Sequence, residues 1–114
     1  TADLIEASVL AGAICAGATQ NQTAALHQFS RNIGLAFQVM DDVLDVTASS
    51  ETLGKTAGKD IAAEKSTYVA CMGVDDARAY ANQLLDEALA LLTPFGEAAE
   101  SLSALSRLLV QRDS

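Results

Sequence analysis

Hydrophobic positions in this chain recur at intervals of three and four residues over most of its length, the pattern of helices buried along one face. The longest such stretch is centred on Phe37–Asp45, FQVMDDVLD. Leu26, Phe29, Ile33, Phe37, Met40 and Leu44 form one apolar stripe. Leu35, Val39, Val43 and Val46 form a second, roughly 145° round the same wheel. Between them runs a polar strip of His27, Ser30, Arg31, Gly34, Gln38, Asp41, Asp42 and Asp45. Two apolar flanks predict packing on both sides, so the strip is expected to face a cavity rather than open water.

The same periodicity predicts the other elements. A helix is expected over Ala2–Thr19, with Asp3 and Glu6 in its first turn, where the macrodipole favours acids. Its sides are small (Ala7, Ala11, Gly12, Ala13, Ala16, Gly17), which lets a neighbour approach closely. Asn21–Thr23 reads as a turn capping the central helix. After the acidic segment, ETLGKTAGKD reads as a loop, and a short helix is expected from Ser66-Thr67 through Met72, with Tyr68 inward. Asp75 and Asp76 open a helix through about Thr93, with Ala77, Ala81, Leu84, Leu85, Ala88, Leu91 and Leu92 as its apolar face. Pro94 stops it and Gly96 follows. The last helix is expected over Glu97–Gln111, with Leu102, Leu105, Leu108 and Leu109 inward. Three phenylalanines, two tyrosines and no tryptophan, with few β-branched runs, argue against a sheet. The expected fold is all-α, with about five helices.

Composition narrows the classes of function. The 114 residues suit one small domain, and 50% of them are hydrophobic, enough for a core. A formal net charge of −8 disfavours nucleic acid and anionic membrane surfaces as partners. The longest apolar run, Val9–Ala18, is far shorter than the roughly 20 residues of a membrane span, and no basic region precedes it as in a signal peptide. Cys15 and Cys71 lie far apart without a CxxC pairing and are expected to be free, buried thiols of a cytosolic protein. The chain opens on Thr1 with helix almost at once, so it reads as an internal fragment.

The candidate chemistry lies in the three aspartates. Spaced i, i+1, i+4 on a helix, they crowd one side of it, and like charges one turn apart repel while burial adds a desolvation cost. A hard divalent cation resolves both, and oxygen-only ligands suit Mg²⁺. Gln38, one turn earlier on the strip, can hydrogen-bond Asp42 or water, or present its carbonyl oxygen to a cation. Gly34 leaves room for a ligand or a neighbouring helix. His27, four turns from the acids, is expected to be a satisfied histidine rather than a ligand. All three lysines, Lys55, Lys59 and Lys65, follow the acidic segment, where Lys55 and Lys65 can fold back over it and Lys59 is expected in solvent. Carboxylates holding a cation opposite ammonium groups make a site for a polyanion such as diphosphate. Gly54-Lys55-Thr56 resembles the end of a phosphate-binding P-loop, but Ser49 stands at the first glycine's place and a helix precedes it. Asp45–Thr56 fails as a calcium loop for want of glycine at its sixth position and glutamate at its twelfth. Asp60 is read as a cap.

GLAFQVMDDVLD, followed by TLGKTAGKD and EKSTY, resembles the second aspartate-rich region of the trans-isoprenyl diphosphate synthases, with bacterial farnesyl and geranylgeranyl diphosphate synthases most alike. The likeness runs from Thr1 to the QRDS end. It implies that residues 1–114 are one C-terminal fragment of a polyprenyl synthase domain with the isoprenoid-synthase helical bundle. The activity implied is condensation of isopentenyl diphosphate with an allylic diphosphate, in a cytoplasmic enzyme that is a homodimer at full length. By the resemblance, Asp41, Asp42 and Asp45 hold Mg²⁺, Lys55 and Lys65 contact diphosphate, Phe37 and Gln38 lie beside the allylic chain, and Gln38 steadies the carbocation. Thr1 is the threonine of a Lys-Thr pair near the allylic substrate, and Arg112 belongs to a basic C-terminus that reaches toward the homoallylic diphosphate, although from its own position it is expected in solvent. The family's first aspartate-rich region lies upstream, so the chain alone is expected to have no turnover. A silent regulatory subunit, a terpene cyclase and a purely structural bundle are the alternatives.

Overall fold

A computed structural model describes residues 1–52 and 67–112 of the chain. Among them are five α-helices and one 3-10 segment: α1 Ala2–Cys15, α2 Gln20–Thr52, α3 Thr67–Met72, α4 Val74–Leu91, the 3-10 segment Thr93–Ala99 and α5 Glu100–Val110. No strand occurs among the described residues, in keeping with the all-α expectation. At about 1.5 Å per residue, the 33 residues of α2 run about 50 Å. This helix sets the long dimension of a molecule measuring 51 × 21 × 21 Å. The others pack around it, α4 most extensively and α1 next. No helix among the described residues is long and apolar enough to cross a membrane.

The core is built where α2 meets α4. Phe29, Ile33, Ala36, Val39, Met40 and Val43 of α2 are buried with Ala77, Ala81, Leu84, Leu85 and Ala88 of α4. The two predicted stripes of α2 meet through Ala36, which is wholly buried. They are therefore the edges of one buried arc, and a side chain as small as alanine does not announce its centre. Ala77, Ala81 and Ala88 are equally buried, and such short side chains let the two helices come close. Burying each of Phe29, Ile33, Met40 and Leu85 contributes about 1.5–3 kcal/mol.

Several boundaries differ from the periodicity. The first helix ends at Cys15 rather than Thr19, because Gly17 takes φ +74°. Its N–H donates to the Ile14 carbonyl at 3.1 Å and that of Ala18 to Ala13 at 3.0 Å, the paired bonds of a Schellman C-cap. The next helix begins at Gln20, so the turn expected at Asn21–Thr23 is already helical. Thr19 Oγ1 accepts from the Gln22 N–H at 3.1 Å while Gln22 Oε1 accepts from the Thr19 N–H at 2.9 Å, a reciprocal capping box. The last helix starts at Glu100 rather than Glu97, since Pro94 and Gly96 leave Thr93–Ala99 in 3-10 form.

That last helix also turns a different face inward. Leu102 packs against the core, but Leu105 and Leu108 are 49% and 69% exposed, while Ser106 and Val110 are buried. Ala99, Leu102, Ser106 and Val110 follow the three-and-four spacing that faces α2 and α4, and the other two leucines fall off it. Leu105, with Leu4, Phe29 and Ile33, lines an apolar groove of about 300 Å³ between α1 and α5. Cys15 and Cys71 are free, as expected, but exposed rather than buried.

Gly34 fixes how α1 enters the bundle. A Cβ at this position would lie 3.0 Å from the Ala2 Cβ and 3.2 Å from its Cα, so the start of α1 rests directly on the α2 backbone. Gly34→Val is expected to wedge the two helices apart and destabilise the protein by about 1–3 kcal/mol, despite valine's better helix propensity, in chemical denaturation.

Candidate functional site

The polar strip of α2 is covered unevenly. Its N-terminal half lies under α1: Gly34 is against Ala2, and His27 Nε2 meets Glu6 Oε1 at 2.6 Å. His27 is thus satisfied by a carboxylate of α1, as the sequence led us to expect. Ser30 is fully buried, and its hydroxyl donates to the His27 carbonyl at 2.8 Å. The C-terminal half carries Asp41, Asp42 and Asp45, all only partly buried.

The two adjacent aspartates diverge by about 100° on the helix and meet different neighbours. Asp42 faces α3, and its carboxylate accepts a hydrogen bond from the Tyr68 backbone N–H. Asp41 meets the other end of the chain: Arg112 Nη2 lies 3.4 Å from its Oδ1. The same guanidinium sits over the Phe37 ring, its Cζ 4.4 Å from the centroid. Arg112 is therefore half-buried and paired rather than solvated. Partly exposed ion pairs and cation–π contacts each contribute about 0.5–1 kcal/mol, so this seat is a weak one. Its Nε is buried without a hydrogen-bond partner among the described residues.

Charge crowding registers on Asp42. Partial burial raises its pKa above the ordinary value of 3.8, and the carboxylates of Asp41 and Asp45 push it further up. The Tyr68 N–H offsets part of this. No three His, Cys, Asp or Glu side chains among the described residues converge as a ready-made metal cage. Side chains at adjacent helix positions diverge, so Asp41 and Asp42 do not point at a common centre. The three carboxylates offer an all-oxygen donor set whose charge Arg112 and the Tyr68 N–H only partly offset, a chemistry that suits a hard divalent ion.

Beside the strip lies a cleft of about 540 Å³, lined by Gln38, Arg31 and Asn32 of α2, Asp3 and Glu6 of α1, and Tyr68 of α3. Tyr68 lines this cleft, and its main chain also provides the Asp42 contact. Ala2 also borders this cleft, which brings the start of α1 beside Gln38. Thr1 itself is exposed, and its carbonyl accepts the first bond of α1 from the Ile5 N–H at 3.0 Å. Lys55, Lys59 and Lys65, with Asp60 and the rejected P-loop residues Gly54-Lys55-Thr56, lie outside the described residues.

A family model described as "Polyprenyl synthetase" matches residues 1–106. The chain belongs to this family. It is 50% identical, over 100% of its own length and 32% of the other protein's, to the chloroplastic geranylgeranyl pyrophosphate synthase of Catharanthus roseus. It is 45% identical, over 98% of its length and 32% of the relative's, to a dimethylallyltranstransferase of Fischerella ambigua (strain UTEX 1903). A heterodimeric geranylgeranyl pyrophosphate synthase large subunit from Arabidopsis thaliana is 45% identical over 100% of this chain and 31% of that one. The chain spans about a third of the length of the curated relatives it matches.

Within this member of the polyprenyl synthetase family, the structure brings Phe37, Asp41 and Arg112 together, and sets Tyr68 against Asp42 and in the lining of the cleft that also includes Gln38. Arg31, two turns before Gln38 on the same strip, was legible as a cleft residue from its spacing, whereas the Tyr68 main-chain donor carried no sequence signal. Because the folded pKa of Asp42 is raised, the folded state holds more protons than the unfolded one as pH rises through the interval above 3.8, and stability falls there. Thermal melts without divalent cations are expected to show this decline in the wild type and to show it flattened in Asp42→Asn.

Proposed function

We propose that the chain is the C-terminal part of a prenyl diphosphate synthase domain, and that the intact protein condenses isopentenyl diphosphate with an allylic diphosphate. The observation that carries this reading is the crowding of Asp41, Asp42 and Asp45 on one helix whose opposite arc is locked into the core. A helix so anchored keeps the three acids together on one partly exposed side, close enough to repel one another, and a cation there relieves that repulsion. Family membership and the names of the relatives supply the reaction class.

In this proposal Asp41, Asp42 and Asp45 hold Mg²⁺, which when bound offsets the charge that develops on a departing diphosphate. Lys55 and Lys65 are assigned to the same diphosphate. Gln38, on the wall of the cleft, offers its carbonyl oxygen to the positive charge left on the allylic carbon, with Thr1 near the start of α1 as a second oxygen. Phe37 presents a ring face at the acidic end, and this face already accommodates one cation, the guanidinium of Arg112. A diphosphate departs as a stable anion, so no covalent bond to the chain is required. The two free thiols fit a reducing compartment such as the cytosol. The exposed small residues Ala7, Ala11 and Gly12 on α1 support close approach by a second copy in a homodimer.

The first aspartate-rich region is assigned to residues outside this chain, so residues 1–114 by themselves are expected to give no prenyl transfer. In the intact protein supplied with both diphosphates and Mg²⁺, Asp41→Asn and Asp45→Asn are each expected to lower kcat/KM about 10²–10³-fold, and chelation to abolish turnover. Wild-type rates in both variants would overturn the assignment. A cyclised product formed from the allylic diphosphate alone would point to a cyclase.

A further inference from the structure

The contact between Arg112 and the catalytic helix joins positions 71 residues apart, and it places a cation against a carboxylate assigned above to a metal. Asp41 remains 47% exposed, so it is open to a competitor, whereas the Arg112 side chain is only 23% exposed. The guanidinium is held by one long bond at 3.4 Å and by the Phe37 face, while its buried Nε has no partner among the described residues. Such a seat holds the group in place without satisfying it, because a buried N–H without an acceptor carries its full desolvation cost. A divalent cation and a guanidinium cannot share Asp41 Oδ1 without like-charge repulsion.

From this juxtaposition we propose that Arg112 is a displaceable placeholder for the metal at Asp41: it neutralises that carboxylate and covers Phe37 in the metal-free state, and is expelled when a divalent cation binds. The inference rests on the assignment of Asp41 as a metal ligand. Its consequence is a coupling between the site and the segment that follows α5. Arg112 lies two residues beyond the last residue of α5, Val110, which is wholly buried. Release of Arg112 therefore frees the Phe37 face and loosens the segment after Val110, while the core anchor of α5 stays in place. By linkage, the cation must displace the guanidinium before it binds, so its apparent affinity is reduced in proportion to the population of the seated state.

The test uses the intact protein without substrates and Mn²⁺ alone as the probe, with free Mn²⁺ followed by electron paramagnetic resonance. Arg112→Gln is expected to bind Mn²⁺ about two- to fivefold more tightly than the wild type, the range for release of a weak, partly exposed pair. Phe37→Leu keeps every charge but removes the ring face, and is expected to tighten binding about twofold. Asp41→Asn is expected to weaken it at least tenfold. Hydrogen exchange supplies an independent readout: amides of residues 108–112 should exchange faster in the wild type once Mn²⁺ is added, and should already be fast and insensitive to Mn²⁺ in Arg112→Gln. If Asp41→Asn weakens binding while Arg112→Gln leaves it unchanged or weaker, the metal assignment stands and the placeholder is overturned. Tighter binding in Arg112→Gln without the exchange response, or without any effect of Phe37→Leu, would reduce Arg112 to a distant repulsive charge and also overturn it. Unchanged binding in Asp41→Asn would sink the metal assignment itself, and the placeholder with it.

Discussion

Anchoring of α2 by its buried arc is the constraint on which the other features depend. Phe29, Ile33, Ala36, Val39, Met40 and Val43 lock one side of the helix against α4. The opposite side is thereby committed to a fixed direction, together with its acids. Rotating α2 to expose Asp41, Asp42 and Asp45 further would pull several of these side chains from the core, at about 1.5–3 kcal/mol for each large one. The electrostatic cost of crowding three carboxylates is smaller than that, so the packing wins and the charge stays concentrated. The raised pKa of Asp42 registers first its own partial burial and then the neighbouring carboxylates of Asp41 and Asp45, which this packing keeps close by.

Helical geometry then divides the acids between neighbours. Asp42 turns toward α3 and receives the Tyr68 N–H, while Asp41 turns toward the end of the chain and receives Arg112. Each contact offsets part of the charge, and neither is strong. The acids are consequently half-satisfied on both sides and remain partly exposed. The groove between α1 and α5, with Leu4 and Leu105 at its rim, is a second surface on which apolar area is left uncovered.

Sequence and structure agree most closely where periodicity was strong and packing two-sided. The apolar face of α4 was legible because Ala77, Ala81, Leu84, Leu85 and Ala88 repeat at helical spacing, and all are buried. The inward packing of Tyr68 was legible too, and His27 was expected to be satisfied because the acids lie four turns away. Local backbone signals carried more than pattern reading alone extracted. Gly17 ended α1 early, and Thr19 with Gln22 is a capping box written in four consecutive residues. At α5 the pattern was misleading, since a leucine-rich helix offers two overlapping apolar faces, and only contact with α2 and α4 selects the one carrying Ser106 and Val110.

The order of residues by itself determined that the chain is helical, that three carboxylates share one side of the long helix, and that they follow a buried face in register. Those are consequences of local periodicity, which depends only on neighbours three and four positions away. Tertiary structure decided what each acid meets. A hydrogen bond from the Tyr68 main chain and a guanidinium arriving from residue 112 both depend on how distant segments return to α2, and the backbone N–H involved has no identity in a sequence. It likewise settled which face of α5 is buried and how closely α1 rests on Gly34, because both follow from the shape of the surface presented by the partner helix.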